Sequence, residues 1–193
     1  MTDLPMDPVA IDVGHLVRRT VASLYSHLVT RQTGRAVRMA IEAQLAEMGD
    51  RSLSLIDLSE VSVLDFSCAD EVVAKLLQHH APTGASEAFF VFRGVHEPHR
   101  DQIEVVLARQ GLAAVAETGP GRFDLLGART PAEDAAWRVV EDRGLVAPED
   151  LPTALVDASH RAALEHLVER RLVFRSPITG RVHALSRLVA HLM

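Results

Sequence analysis

Cysteine is almost missing from this chain: one thiol, Cys68, stands among 193 residues. An intramolecular disulfide is therefore impossible and a multi-cysteine zinc site is excluded, which points to a reducing compartment. Aromatic residues are sparse at 4%. A core must be packed mainly by Leu, Val and Ala, with Phe66, Phe89, Phe90, Phe92 and Trp137 as the bulky exceptions. No window reaches the roughly 18 uninterrupted apolar residues of a membrane span. The opening MTDLPMDPVAID has neither the basic start nor the apolar run of a signal peptide. A cytoplasmic protein that makes no membrane contact is expected. Excess positive charge is missing as well, since the net charge is −6 with histidine neutral. Residues 1–128 hold 11 basic and 17 acidic side chains and residues 129–193 hold 9 of each, so the whole deficit lies in the first part. Any nucleic-acid surface must be local and lie in the second part.

What is present is a globular composition, 48% hydrophobic and 24% charged, of a length that suits one large domain or two small ones. Residues 1–12 hold Pro5 and Pro8 without periodicity and read as a flexible arm. VGHLVRRTVASLYSHLVT (13–30) reads as strand-rich. Val37, Ile41, Leu45 and Met48 then recur at helical spacing. LSLIDL (53–58) and AFFVFR (88–93) are near-continuous apolar runs suited to strands buried on both faces. Between them Val72, Val73, Leu76 and Leu77 form one helical stripe over 68–80. A third helix follows Pro98 with Ile103, Val106 and Leu107 inward and Gly111 after its end, and FDLLG (123–127) supplies a last strand. The alternation predicts an α/β sandwich with a partly parallel sheet over residues 13–128. From Pro131 the chain reads as helices over 131–143, 148–156 and 159–171, then two strand-like runs around Pro177-Ile178-Thr179-Gly180, a hairpin signal. Residues 129–193 therefore form a second, small α+β domain.

The order built around LIDLSEVSVLDFSCADEVVAKLL and FRGVHEPHRDQIEVVLARQGL resembles the STAS domain of bacterial anti-sigma-factor antagonists. The matching features are Asp57-Leu58-Ser59, Val61, Asp65, Ser67, Gly94-Val95 and Gly111-Leu112, over roughly residues 33–126. The resemblance implies a STAS-like mixed sheet with helices, and a serine phosphorylated by an anti-sigma kinase to release the partner. By position that serine is Ser67, and Asp65, Ser67 and Asp70 would make the partner surface. A new charge of about −2 at a helix start would repel an apolar or acidic partner. Phe66, Cys68 and the acidic pair Asp70 and Glu71 depart from the family's usual small polar residue, glycine and lower charge. The alternative is that Ser67 caps the helix, with Asp70 as the acidic member of a capping-box-like Ser-x-x-Asp.

SHRAALEHLVERRLVFRSPITGRVHALS (159–186) is similar to the recognition helix and wing of a winged helix-turn-helix, with Arg171 where that family usually has glycine. The similarity implies that helix 159–171 enters a major groove. His160, Arg161 and Glu165 would face bases, and Arg175, Arg181 and Arg187 would meet phosphates. Glu165 and Glu169 and the neutral balance of this part favour the alternative, a winged helix used for dimerisation or protein contact.

Weaker signals remain. His96, Glu97 and His99 could chelate weakly or be a solvated loop. Arg31, Gly34, Arg35 and Arg38 surround a helix start, to receive a phosphate or to stand in solvent. Asp57 and Asp65 lie at strand ends, where open α/β sheets build sites, or cap loop amides. No convergent nucleophile and base and no metal motif appears, so no catalytic residue, metal or cofactor is expected. The sequence leads to a non-enzymatic, bacterial-type regulator: a STAS-like domain that binds a protein partner, such as an anti-sigma factor or kinase, and a winged helix that binds double-stranded DNA. The alternative is a protein adaptor whose winged helix contacts protein. A homodimer is expected in either case.

Overall fold

Apolar runs that alternate with helical periodicity fold here into a parallel sheet crossed by helices. The computed structural model describes residues 8–12, 27–46, 51–80 and 87–192. In chain order the first part runs β1 (Pro8–Asp12), β2 (His27–Leu28), α1 (Arg31–Leu45), β3 (Arg51–Asp57), β4 (Val63–Leu64) and α2 (Phe66–His79). It continues with β5 (Glu87–Arg93), α3 (Glu97–Arg109), β6 (Ala113–Gly119) and β7 (Arg122–Gly127). The main sheet has the order β1-β3-β5-β6-β7, parallel up to β6 and antiparallel in the last pair, while β2 and β4 form a separate parallel ladder.

The strand order advances in one direction, so right-handed crossovers put every connecting helix on the same face. Accordingly Val37 and Ile41 of α1, Val72 and Leu76 of α2, and Ile103 and Leu107 of α3 share one core with Ile56, Phe90, Phe92, Ala114 and Leu126 of the strands. Period-two alternation sends Leu53, Leu55, Phe89, Val91, Val115 and Leu125 to the opposite face, which must be covered by something else.

The rest of the chain covers it. This part comprises α4 (Pro131–Arg143), β8 (Leu145–Val146), a 3-10 turn (Pro148–Asp150), α5 (Leu151–Ala154), α6 (Ala158–Glu169), β9 (Phe174–Arg175), β10 (Val182–His183) and α7 (Leu185–Val189). Its three short strands pair antiparallel in the order β8-β10-β9. Trp137 and Val140 of α4, Leu164 and Leu167 of α6 and Leu188 and Val189 of α7 join the sheet's second face in one core. Phe89 of β5 meets Phe174 of β9 edge-on at 5.6 Å.

Several sequence expectations need correction. Pro8–Asp12 is not an arm: its register places it beside β3 at the sheet edge, where proline's missing amide is tolerated. The strand-rich reading of 13–30 lies outside the described residues for 13–26, and only His27–Leu28 is strand. Strand β6 was not anticipated because Ala-rich AAVAETG carries little β propensity. The expected helix over 148–156 breaks into a 3-10 turn and one α turn, with Pro148 and Pro152 withholding amide donors. RVHALS is strand only through His183, after which Leu185, Leu188 and Val189 bury at i, i+3, i+4 spacing in α7.

Candidate functional site

The N-terminal end of α2 is where the expected partner surface falls. Asp65, in extended backbone, is the N-cap, and its Oδ1 accepts from the Cys68 amide at 2.8 Å. Ser67 sits inside the first turn and its Oγ donates to Asp65 Oδ1 at 2.9 Å and Oδ2 at 3.1 Å. The reading of Ser67 as the cap, with Asp70 as its capping-box partner, is therefore wrong: the carboxylate two residues closer to the strand takes the amide first. Asp65, Ser67 and Asp70 are all half-buried along one end of the helix. Cys68 is fully buried, donates to the Thr30 carbonyl at 2.9 Å, and its thiol is pushed up to about 12 by burial and the Asp65 charge. Next to this end, the Asp65 amide donates to the Leu28 carbonyl. That bond ties α2 to the β2–β4 ladder, whose flank leaves Val29 and Val63 exposed. Arg109 lies over the half-buried Phe66 ring at 5.0 Å.

One turn on, α2 widens into a π-helical stretch, Asp70–Lys75, a feature often found at functional positions. Glu71, 2% exposed, accepts from Arg31 Nη1 at 3.1 Å, from Arg38 Nε at 3.3 Å and from Lys75 Nζ. Burial raises the Glu71 carboxyl, but Lys75, Arg31 and Arg38 together outweigh it and hold the group below its ordinary value. Asp70 takes Arg31 Nη1 at 2.7 Å and Gln110 Nε2 at 2.5 Å. Arg38 also reaches Glu42 at 2.7 Å, and His79 Nδ1 lies 2.8 Å from the same Glu42 oxygen. Thus Arg31 and Arg38, read from sequence as a possible phosphate receptor, already have acidic partners. Gly34 lets α1 approach: a β-carbon there would lie 3.0 Å from the Cys68 Cα and 3.1 Å from the Glu71 Cβ. Sequence reasoning missed this cluster. Only the Glu71–Lys75 and Arg38–Glu42 spacings of four were legible, whereas the Arg38–Glu71 contact spans 33 residues.

The expected DNA-reading residues are spread over α6, β9 and the turns around them. His160 lies 3.7 Å from Asp157, and Arg161 Nη1 donates to the carbonyls of Leu155 at 2.7 Å and Val156 at 2.6 Å. Glu165 and Arg175 form a two-pronged pair, both bonds 2.7 Å. The pair lowers the Glu165 carboxyl and raises the Arg175 guanidinium. Arg181 is exposed at the hairpin, beside Ile178 at 93% exposure. Arg187 is exposed on α7 and borders a polar hollow of about 580 Å3 shared with Arg122, Arg138 and Asp142.

At Arg171 the backbone φ is +59°, the left-handed conformation that the glycine of the winged-helix pattern would supply. Elsewhere, Asp57 accepts from the Ser59 amide at 2.8 Å, a loop-capping role, and approaches Arg93 at 3.7 Å. His96 and His99 rings stand 5.8 Å apart with His99 buried. Among the described residues no three His, Cys, Asp or Glu side chains group to hold a metal ion, and no helix is long and apolar enough to cross a membrane. No protein-family model, curated protein or solved structure matches this chain.

Proposed function

We propose that the chain is a non-enzymatic signalling adaptor whose STAS-like sheet unit binds a protein partner at the start of α2, and whose winged-helix-like unit makes protein contacts. The observation that carries this reading is the fate of the basic residues. Duplex binding needs cations free to replace counterions at phosphates. Here Arg175 is paired with Glu165 through both nitrogens and Arg161 is turned onto its own turn's carbonyls. The outer face of α6 carries Glu165 and Glu169. By contrast, the start of α2 presents Val29, Val63 and half-buried Phe66 around the Asp65–Ser67 hydroxyl and carboxylate, an apolar patch with a polar centre. A phosphate on Ser67 would lose the hydrogen bond to Asp65 and set two charges against one carboxylate, which would open that end of the helix.

The second reading, DNA binding, is favoured by the order helix, strand, helix, helix, hairpin with sheet order β8-β10-β9, and by exposed Arg181 and Arg187. Two measurements on the full chain separate the readings. In quantitative affinity capture, Val63→Asp loses a specific protein that wild type and Arg181→Ala retain. In fluorescence anisotropy with mixed duplex DNA titrated across salt, no salt-sensitive binding is expected. Salt-sensitive binding that weakens in Arg181→Ala and Arg187→Ala, with capture unchanged by Val63→Asp, would replace the adaptor by the DNA-binding regulator.

A further inference from the structure

A cavity of about 200 Å3 lies between the end of α2, strands β5 and β6, and the turn after α6. Leu77, Ala88, Phe90, Leu112 and Ala114 give it an apolar floor, and His80 and Arg171 stand at its edge. Arg171 is unusual twice over. Its backbone is left-handed, which disfavours any residue with a β-carbon. Its Nη1 donates to the carbonyls of His80 at 2.9 Å and Ala88 at 3.4 Å, both neutral acceptors. Among the described residues no carboxylate comes within ion-pair distance of its guanidinium; Glu87 acts on it only at longer range, and burial draws its pKa down. Neighbouring Arg170 is different, since it is matched by Glu133 at 2.8 Å and the Ala128 carbonyl at 2.7 Å. Burial lowers the pKa of His80 too, so that ring adds no charge near neutral pH.

A partly desolvated cation with no carboxylate in contact is unfavourable, and a strained backbone persists where a site requires it. We propose that this cavity binds a small monocarboxylate with an apolar body, its carboxylate pairing with Arg171 and its body lying on Phe90, Leu77 and Leu112. One lining cation that no carboxylate contacts calls for a monoanion. A dry cavity of about 150 Å3 accepts benzene, so this one takes a single ring or a chain of about six to eight carbons. The lining comes from both parts of the chain, residues 77–114 and 170–172, so the ligand acts as a clamp across them. The inference is independent of whether the second part contacts protein or DNA.

The test is calorimetric titration of the full chain with benzoate and octanoate, with benzyl alcohol and benzylamine as uncharged and cationic counterparts. Saturable binding of a carboxylate at least tenfold tighter than the alcohol, with none by the amine, is expected. Arg171→Gly suits the φ of +59° and should fold, yet abolish carboxylate binding. Arg171→Lys should retain it within about tenfold, because a point charge replaces the fork. Arg171→Gln, of similar length without charge, serves if the glycine variant fails to fold. Failure of both carboxylates to bind, equal binding of benzyl alcohol, or unchanged carboxylate affinity in the Gly and Gln variants would overturn the proposal.

Discussion

Replacing Glu71 by Gln should destabilise the protein by about 2–3 kcal/mol, because it leaves buried Arg38 facing a neutral amide. Breaking one side of a buried ion pair costs roughly 3–5 kcal/mol. The Gln amide oxygen still accepts one donor, which recovers part of that. Arg31 is 52% exposed and readily solvated, whereas Arg38, 9% exposed, has no such escape beyond Glu42 and the His79 ring. At about 2–4 °C per kcal/mol for a chain of this size, the midpoint should fall by about 4–12 °C. The pH dependence gives an independent check. The folded carboxyl lies below its ordinary value of 4.5, so its stabilisation is full above pH 4.5 and is lost as pH falls through the folded value. Urea unfolding at a series of pH values should therefore show a steep acid limb in wild type and a flatter one in Glu71→Gln. A variant within about 0.5 kcal/mol of wild type at pH 7, with an unchanged acid limb, would refute the account of this cluster.

Asp65→Ala should cost about 1 kcal/mol by urea unfolding, as lost N-caps do, and more than Ser67→Ala, because Asp65 takes the Cys68 amide and Ser67 only decorates it. Cys68, with its thiol near 12 and its sulfur buried, should resist a disulfide reagent at pH 8 until the chain unfolds; rapid native labelling would contradict its burial. Gly94→Ala should unfold or badly weaken the protein in a thermal melt. Its φ is +67°, and a β-carbon would lie 2.4 Å from Ser59 Oγ and 2.6 Å from the Ser59 Cα. Burial depresses His80, His99 and His183, so stability should be level above their ordinary value of 6.5 and decline as pH falls below it.

The strands and helices that were legible in the sequence are those whose apolar pattern is strong and local. LSLIDL and AFFVFR announce sheet centres because they must be apolar on both faces, and the helices over 31–45 and 97–109 carry their own spacing and punctuation. Strand β6 hides because alanine serves a helix as well as a close-packed strand, and its pairing with β7 is what decides. Strand β8 is two residues long and exists through its partner β10. At the candidate site, the hydroxyl and carboxylates around Ser67 were visible as residue types. Which of them caps the helix depends on where the strand releases the chain, and that is set by the Asp65 amide bonding to Leu28, 37 residues away. The same reasoning covers the arginines: a basic side chain is read as free until its partner is found, and Arg38 and Arg175 find theirs across turns and helices.

The two proposed sites share one element. Helix α2 begins at the Asp65–Ser67 cap and ends at His80, whose carbonyl Arg171 holds. At 1.5 Å per residue it spans about 20 Å. Between the ends lies the π-helical stretch, where the chain is underwound relative to an α-helix and where Glu71 and Asp70 bind α1. A carboxylate that drew Arg171 away from His80 would free the last-turn carbonyl of α2, and the π stretch is the part of the helix able to absorb or return a residue of register. The cap hydroxyl and the cavity are thus joined through one packed rod with an adjustable middle. Coupling between the two ends requires a second arrangement of α2 that a ligand binds with different affinity, and its energy is that difference.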